Sequence, residues 1–261
     1  MITRRALLGL AAATFASAIA LPASAEALDD ILKAKQIRIA VPQDFPPFGS
    51  IATDMKPQGY DIDMAELIAK ELGVKVEIVP VTSANRIPYL QTKKVDLVIS
   101  SLGKNAEREK VIDFSTAYAP FFQGVFGLKA LAVAKPEDLA GKTVGMTRGA
   151  LEDLELTKLA PASATLKRYE DNNATIAAFL SGQVDLVATG NVVAAAIAEK
   201  NPQRAPVVKF VIKASPCFVG MNKNEPKLMA KVNEIIAKAK KDGSLEKISQ
   251  KWLKAGLPAD L

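Results

Sequence analysis

Short apolar runs alternate with amphipathic stretches along the chain. The run at 37–41 predicts a strand, and apolar residues recur at helical spacing over 64–72. The run at 95–99 is almost continuously apolar, as in strands that are buried on both faces of a parallel sheet. The alternation resumes over 143–200 and ends in two helices that Gly243 separates. Alternating strands and helices predict an α/β fold with largely parallel sheets.

A short internal repeat bears on the domain organisation. The sequence Val-Asp-Leu-Val occurs around Asp96 and again around Asp185, 89 residues later. Two interpretations stay open, a chance similarity between two βαβ units or the presence of two similar lobes. Ligands of open α/β sheets bind at the carboxyl ends of the strands. In a two-lobed protein, the loops with Ser100-Ser101 and with residues 189–191 would therefore face each other across a cleft.

The first 25 residues have the pattern of a secretory signal peptide. Arg4 and Arg5 precede an apolar run at 6–21, and small residues at 23–25 form an A-x-A cleavage site. We expect an exported chain that begins near Glu26, secreted by the general or the twin-arginine route. A retained membrane anchor is the alternative, but the run is short and rich in alanine. No second apolar stretch of 18 residues follows, so we expect no membrane span in the mature chain.

The composition excludes several kinds of site. The 261 residues are 49% hydrophobic and 24% charged, which is typical of a packed globular protein. The chain has no histidine, which excludes Ser-His-Asp and Cys-His catalysis and histidine-bound metals. Cys217 is the single cysteine, so neither an internal disulfide nor a thiolate zinc cluster can form. We therefore expect no metal and no cofactor. The net charge is +6, but basic and acidic residues are interleaved, so we expect no nucleic-acid partner.

Several motifs resemble those of a known family. The stretch at 59–64, Gly-Tyr-Asp-Ile-Asp-Met, is similar to the signature of the bacterial extracellular solute-binding proteins, family 3. These are the periplasmic receptors of polar amino acid ABC importers. Further similar stretches are 44–48, 100–102 with Arg108, 113–115, 144–145 and 242–244.

The resemblance implies a two-lobed periplasmic binding protein of type II, in which each lobe is a mostly parallel sheet flanked by helices. The expected division is a signal peptide at 1–25, lobe 1 at 26–120, lobe 2 at 121–215 and a return to lobe 1 at 216–261. The chain would cross between the lobes near 120–123 and near 214–216, and the lobes would close on the ligand by a hinge motion. We expect a periplasmic monomer that delivers a small-molecule ligand to ABC permease subunits in the inner membrane, and not an enzyme.

The resemblance also implies site residues. Arg108 would hold the ligand's α-carboxylate, which a planar guanidinium can grip with two hydrogen bonds. Without the resemblance, the sequence favours an exposed arginine in a charged helical turn, because charged residues are mostly exposed; the family position reverses that expectation. Ser101, with Ser100, would bind ligand oxygen or nitrogen atoms, unless the hydroxyl caps the strand end. Phe45 would stack over the ligand or be simply buried in the core.

Arg86 lies in a string, 85–88, that looks like receptors for acidic amino acids. There the matching arginine reaches the ligand's side-chain carboxylate, whereas the alternative is a solvated arginine in a first helical turn. Thr147, Ala150 and Asn191 complete the expected ligand-binding set together with Gly103, Glu152 and Gly190.

Three of these positions depart from the family pattern. Gly103 stands where the family commonly has serine or threonine, and Ala150 follows Gly149 where threonines are usual. Backbone N–H groups at a helix start can still bind a carboxylate there. Gly190 stands where the family has an aspartate that pairs with the ligand's α-ammonium group, and an unpaired buried ammonium is costly. Either Glu152 or Asp44 replaces that acid, or the ligand lacks an α-amino group.

Two function classes follow from these residues. The first is the binding component of an ABC importer for an amino acid, acidic ones among the candidates, or for a related small carboxylate. Two arginines in the site would select the ligand by its carboxylates more than by its ammonium group. The alternative is an enzyme like cyclohexadienyl dehydratase, which resembles these receptors and uses a cleft glutamate, a position near that of Glu152.

Overall fold

The computed structural model describes residues 27–261, so the expected signal peptide at 1–25 lies outside the described residues. Two five-stranded sheets and one two-stranded ribbon are formed within this part of the chain. No helix within residues 27–261 is long and apolar enough to cross a bilayer.

The first sheet and its helices come from both ends of the chain. In chain order the elements up to the first crossing are α1 (Ala27–Ala34), β1 (Gln36–Pro42), β2 (Ser50–Ile51), β3 (Pro57–Gln58), α2 (Tyr60–Leu72), β4 (Lys75–Val81), α3 (Arg86–Gln91), β5 (Leu97–Val98), α4 (Ala106–Val111) and β6 (Ile112–Ala119). The returning elements are β12 (Cys217–Asn222), α8 (Pro226–Lys241) and α9 (Ser244–Leu253).

The second sheet is built from one continuous stretch of the chain. Its elements are β7 (Phe122–Gly127), β8 (Thr143–Thr147), α5 (Leu151–Leu159), β9 (Thr165–Tyr169), α6 (Asn172–Leu180), β10 (Leu186–Gly190), α7 (Asn191–Lys200) and β11 (Val207–Ala214). Short 3-10 turns at Pro136–Leu139 and Pro202–Arg204 join some of them.

The two sheets have the same topology. The first has the order β4-β1-β5-β12-β6 and the second has the equivalent order β9-β8-β10-β7-β11. In each sheet three neighbouring strands are parallel, the next is antiparallel to them, and the last is antiparallel to that one. Four strands of each sheet therefore run in one direction. The predicted α/β fold with largely parallel sheets is confirmed.

The chain passes between the two sheets at two adjacent places. It leaves the first sheet after Ala119 and enters the second at Phe122, and it returns between Ala214 and Cys217. The Gln123 side-chain amide donates a hydrogen bond to the Ser215 carbonyl at 3.3 Å, which ties the outgoing and returning segments together.

The helices of the first sheet are placed by apolar faces and by glycine. α2 buries Met64 and Ile68, and α8 and α9 pack beside it in the same apolar cluster. Gly73 ends α2 in the left-handed conformation, at φ 68°, as the sequence pattern predicts. This packing leaves the carboxyl ends of β1, β4 and β5 free to face the second sheet.

The assigned strand β5 is shorter than the predicted run at 95–99. Only Leu97 and Val98 have the full strand pattern. The flanking N–H groups of Asp96 and Ile99 nevertheless donate to the carbonyls of Arg38 and Ala40 in β1, at 2.8 and 2.9 Å. Residues 96–99 of the run therefore lie along β1.

The repeated aspartates occupy equivalent places in the two sheets. Asp96 accepts a hydrogen bond from the Arg38 N–H at the start of β1, and Asp185 accepts one from the Thr143 N–H at the start of β8, both at 2.8 Å. Asp96 also forms an ion pair with the Arg38 guanidinium, at 2.6 Å. Each carboxylate thus fixes a loop against the neighbouring strand, which gives the repeat a structural reason.

We predict that Asp96→Ala destabilises the protein more than Asp185→Ala. Asp96→Ala removes a backbone hydrogen bond and an ion pair, with an expected loss of about 2 kcal/mol in unfolding free energy, against about 1 kcal/mol for Asp185→Ala. Urea denaturation of the three proteins measures both losses. Equal losses, or a larger one for Asp185→Ala, would show that the Arg38 pair adds nothing.

Candidate functional site

A narrow cavity of about 10 Å³, room for about one water molecule, lies between the two sheets. It is bounded by segments that follow β1, β4 and β5 of the first sheet, β8 of the second sheet, and the first crossing. Its wall consists of Phe45, Ser83, Arg86, Ser101, Phe121, Gln123, Ala150, Leu151 and Glu152. The site therefore lies at the carboxyl ends of parallel strands, where α/β sheets bind ligands.

Arg86 is buried on the cavity wall at the start of α3. Its guanidinium donates to the carbonyls of Ser83 and Ser100, at 3.1 and 2.7 Å, and to Gly149 of the second sheet's side at 3.4 Å. Burial lowers the pKa of this guanidinium, and the carboxylates of Glu152, Asp44 and Asp61 oppose that effect. Arg86 is therefore a buried cation held by backbone carbonyls, not the solvated arginine of the alternative interpretation.

Arg108 lies beside Arg86 and is equally buried. Its Nη1 donates to the Gly103 carbonyl at 2.7 Å and its Nη2 to the Gly149 carbonyl at 2.9 Å. Burial lowers its pKa to about 9, and the charge of Arg86 adds to this effect. Nε of Arg108 is buried without a hydrogen-bond partner among the described residues. Arg108 does not itself line the cavity.

The Gly149 carbonyl is the point where both arginines meet the second sheet's loops. Gly149 has φ 72°, and a Cβ there would come within 3.0 Å of the Ala84 backbone. The chain therefore needs glycine here, both for the left-handed conformation and for the close approach. One backbone carbonyl thereby accepts hydrogen bonds from two buried cations.

Glu152 is the carboxylate on the cavity wall. It is in the first turn of α5 and is buried. Burial raises its pKa, whereas the charges of Arg86 and Arg108 lower it. The wall thus carries a cationic and an anionic group.

The rings of Phe45 and Phe121 lie on the cavity wall, and the buried Phe48 packs against both. The ring centroids of Phe45 and Phe121 are 6.3 Å apart, and those of Phe48 and Phe121 are 5.4 Å apart in an edge-to-face arrangement. Phe45 is both part of the first sheet's apolar core and on the cavity wall. The two interpretations of Phe45 from the sequence are therefore compatible.

Gly190 lies directly against the Phe121 ring. A Cβ at position 190 would lie 1.8 Å from Cζ of Phe121. The backbone there has φ −79°, which any residue adopts, so the ring and not the backbone requires glycine. An aspartate side chain at this position is sterically excluded. Asn191, the next residue, uses its side-chain oxygen to accept from the Phe122 N–H at 3.0 Å.

At Gly103, too, a neighbouring side chain occupies the space that a larger residue would need. A Cβ there would lie 2.5 Å from Cδ2 of Leu151, which comes from the other side of the cavity. The larger Leu151 therefore accompanies a smaller residue at 103. Gly103 and Leu151, which come from opposite sides of the cavity, therefore fit each other.

The two candidates for a replacement acid have different surroundings. Asp44 accepts from the Asn172 backbone N–H at 2.5 Å, at the start of α6, and its carbonyl accepts from the Asn172 amide at 3.0 Å. Asp44 thus holds the two sheets' loops together and does not line the cavity. Of the two, Glu152 is the acid on the cavity wall.

The other expected residues lie around the cavity without lining it. The Thr147 hydroxyl is hydrogen-bonded to the Thr175 hydroxyl at 2.8 Å, in a buried pair away from the wall. Ser100 contributes its carbonyl to Arg86, and Gly103 contributes its carbonyl to Arg108. The expected residues that do line the wall are Phe45, Arg86, Ser101, Ala150 and Glu152.

Sequence reasoning missed several residues that form the site. Ser83, Phe121 and Gln123 line the wall, and nothing in their local pattern marks them. Asp61 is fully buried behind the wall and accepts from the Ser101 N–H. Its place in the motif at 59–64 was the available signal. Within residues 27–261, no group of three or more Cys, Asp or Glu side chains is arranged to hold a metal ion.

We predict that Gly190→Ala lowers the unfolding free energy by about 1–3 kcal/mol, the usual cost of an extra group in a packed interior. The overlap with the Phe121 ring is the cause, so the same substitution should cost far less in a Phe121→Ala background. Denaturation of the two single variants and the double variant measures this coupling. Additive losses would show that the ring does not determine the residue at 190.

The sequence was compared with known families and proteins. A sequence model of the bacterial extracellular solute-binding proteins, family 3, matches residues 37–255. The L-cystine-binding protein TcyJ of Escherichia coli (strain K12) is 25% identical over 261 residues, which is 97% of this chain and 96% of that protein.

Two solved structures have similar folds. The cysteine-binding protein from Campylobacter jejuni has a TM-score of 0.82 and 28% identity, over 90% of this chain and 96% of that one. The ancestral amino acid-binding protein AncCDT-1, a precursor of cyclohexadienyl dehydratase, has a TM-score of 0.79 and 33% identity, over 87% of this chain and 99% of that one.

Proposed function

Since the chain belongs to the bacterial extracellular solute-binding proteins, family 3, we propose that it binds a zwitterionic α-amino acid in the cavity between its two sheets. Its fold is that of the type II periplasmic amino-acid-binding proteins. It is a solute-binding protein of the amino acid ABC transporter class. The identity of the amino acid and the roles of individual residues are the proposal.

The observation that carries the proposal is the pairing of charges on the cavity wall. Arg86 and Glu152 both line the cavity, together with the rings of Phe45 and Phe121. A free amino acid carries one carboxylate and one ammonium group, so it offers each wall charge an opposite partner. Buried charges that gain such partners recover part of their desolvation cost.

In the proposed complex the ligand's carboxylate binds the arginines. It accepts hydrogen bonds from Arg86 and from Nε of Arg108, and it competes with the Gly149 carbonyl for these donors. The ammonium group pairs with Glu152, which does the work of an acid at position 190. The rings of Phe45 and Phe121 contact the rest of the molecule.

The proposal includes the domain organisation and the place of action. Residues 26–120 and 216–261 form one lobe and 121–215 the other, joined at the two crossings, and the lobes close around the ligand by a hinge motion. The protein acts as a periplasmic monomer that presents its ligand to inner-membrane permease subunits.

An acidic ligand is the finer part of the proposal, because two guanidinium groups can accommodate two carboxylates. We expect thermal shifts in the order L-glutamate above L-glutamine, with 2-oxoglutarate and L-arginine below both. A ligand at 100 times its dissociation constant adds about 2.7 kcal/mol of stability. 2-Oxoglutarate lacks the ammonium group. If it binds as tightly as L-glutamate does, Glu152 does not pair with the ligand's ammonium group. Tight binding of L-arginine alone would show that Glu152 and not Arg86 dominates selection.

We predict that Arg108→Ala abolishes binding of these compounds and leaves a folded protein. Loss of a buried charge-assisted pair costs on the order of 2–5 kcal/mol, or a factor of about 30 or more in dissociation constant. Calorimetry measures the affinity, and Arg38→Ala is the control because Arg38 pairs with Asp96 away from the cavity. Unchanged affinity in Arg108→Ala would refute the role of Arg108.

A second candidate function is catalysis of the cyclohexadienyl dehydratase type, and one observation favours it. Burial raises the pKa of Glu152 in the cavity, a condition that suits a general acid. Incubation with prephenate or arogenate tests it, with Glu152→Gln as the control. Product formed by the unaltered protein and not by Glu152→Gln would establish the enzyme; no product would leave the binding function.

A further inference from the structure

One peptide group at the edge of the cavity is held from both sides by buried charges. The carbonyl of Ser100 accepts a hydrogen bond from Nη1 of Arg86 at 2.7 Å. The N–H of Ser101, which belongs to the same peptide group, donates to Oδ2 of Asp61 at 2.7 Å. The peptide group therefore connects a buried cation to a buried anion.

Asp61 is a buried carboxylate, whose negative charge a nearby cation stabilises. It is fully buried at the second position of α2, and its other oxygen accepts from the Tyr118 hydroxyl at 2.6 Å. Burial raises its pKa to about 7, whereas the hydrogen bonds from Tyr118 and Ser101 and the charge of Arg86 lower it. Tyr60 and Cys217 lie near Asp61; burial raises the pKa of both, and the charge of Asp61 raises it further.

Ser101 is held in a conformation that serine rarely adopts. Its φ is +41°, close to the left-handed region that favours glycine. Non-glycine residues persist there when the surrounding contacts fix them. The hydrogen bond to Asp61 is such a contact, and Ser101 lies on the cavity wall.

We propose that Asp61 is a positioning residue of the binding cavity, which acts through the Ser100–Ser101 peptide group to hold Arg86 and Ser101 in place. The inference rests on the proposed function in assigning Arg86 to ligand binding. Its physical core, the coupling of Asp61 to Arg86, is measurable without any ligand.

The physical reason is mutual compensation through a polar group. A buried carboxylate and a buried guanidinium each lose the water that stabilised their charge. A peptide group between them donates to the anion and accepts from the cation, so each charge strengthens the hydrogen bond made to the other. Neutralising Asp61 weakens the hold on the Ser100 carbonyl, and with it the orientation of Arg86 at the wall.

The ligand-free test is a carboxyl carbon NMR titration of Asp61. In Arg86→Gln the Asp61 pKa should rise by about one unit, since a nearby cation lowers a carboxyl pKa by one to three units. Arg108→Gln is the matched control, because Arg108 is equally buried and also contacts Gly149 but makes no bond to Ser100. If Arg86→Gln fails to fold, Arg86→Met replaces it.

The control should leave the Asp61 pKa within a few tenths of a unit of the unaltered protein. No rise in the Arg86 variant would overturn the inference. An equal rise of the Asp61 pKa in the Arg86 and Arg108 variants would also overturn it. The rise would then reflect the loss of any nearby positive charge and not the connection through the Ser100–Ser101 peptide group.

The binding test uses calorimetry with L-glutamate, L-glutamine, L-arginine and L-cystine. For each compound that the unaltered protein binds, Asp61→Asn should weaken binding about tenfold or more, which is 1.4 kcal/mol. Asp63→Asn is the control from the same motif, since Asp63 accepts from Trp252 and Lys251 away from the cavity. Equal losses in the two variants would assign Asp61 a merely structural role and overturn the inference.

A double-variant cycle separates positioning from direct stabilisation. In an Arg86→Lys background the loss caused by Asp61→Asn should shrink, because the group that Asp61 positions has already been replaced. Additive losses would overturn the inference. If the unaltered protein binds none of the four compounds, the proposed function fails while the NMR titration still decides the coupling of Asp61 to Arg86.

Discussion

The burial of two guanidinium groups between the sheets sets the requirements for the surrounding site. Each arginine gives up its water and must find acceptors, and backbone carbonyls at strand ends supply them: Ser83 and Ser100 for Arg86, Gly103 for Arg108 and Gly149 for both. Because Gly149 belongs to the second sheet's side, the same hydrogen bonds join the two halves of the site. A ligand carboxylate is a stronger acceptor than a carbonyl and can replace it. In the proposed complex, ligand binding and the contact between the two sheets' loops would therefore use the same donors.

Two pairs of residues around the cavity are matched in size. Phe121 fills the volume beside Gly190, and Leu151 fills the volume beside Gly103. In each pair a side chain from one segment takes the room that a side chain on another would need. The consequence for charge is direct, because the wall beside position 190 is aromatic and Glu152 is left as the acid on the wall.

The sequence was sufficient for the fold class and for elements such as β1 and α2, because periodicity and the turn at Gly73 are local properties. It did not predict the antiparallel strands β6, β7, β11 and β12. The two arginines and Glu152 could also be named as candidate site residues, because their positions resemble those of family motifs. Phe121 and Gln123 were not, since their place on the wall depends on where the chain crosses between the sheets. Thr147 shows the converse case, a predicted site residue that does not line the cavity. Its position at the end of β8 suggested the site, but its hydroxyl is hydrogen-bonded to that of Thr175, which is distant in sequence.

The central claim is that the arginines exchange the Gly149 carbonyl for a ligand carboxylate. A crystal structure of the protein grown with the amino acid that stabilises it most tests this directly. The account predicts the ligand's carboxylate within about 3 Å of nitrogen atoms of both Arg86 and Arg108, and its ammonium group beside Glu152. A ligand whose carboxylate binds elsewhere, with both guanidinium groups still donating to Gly149, would contradict it.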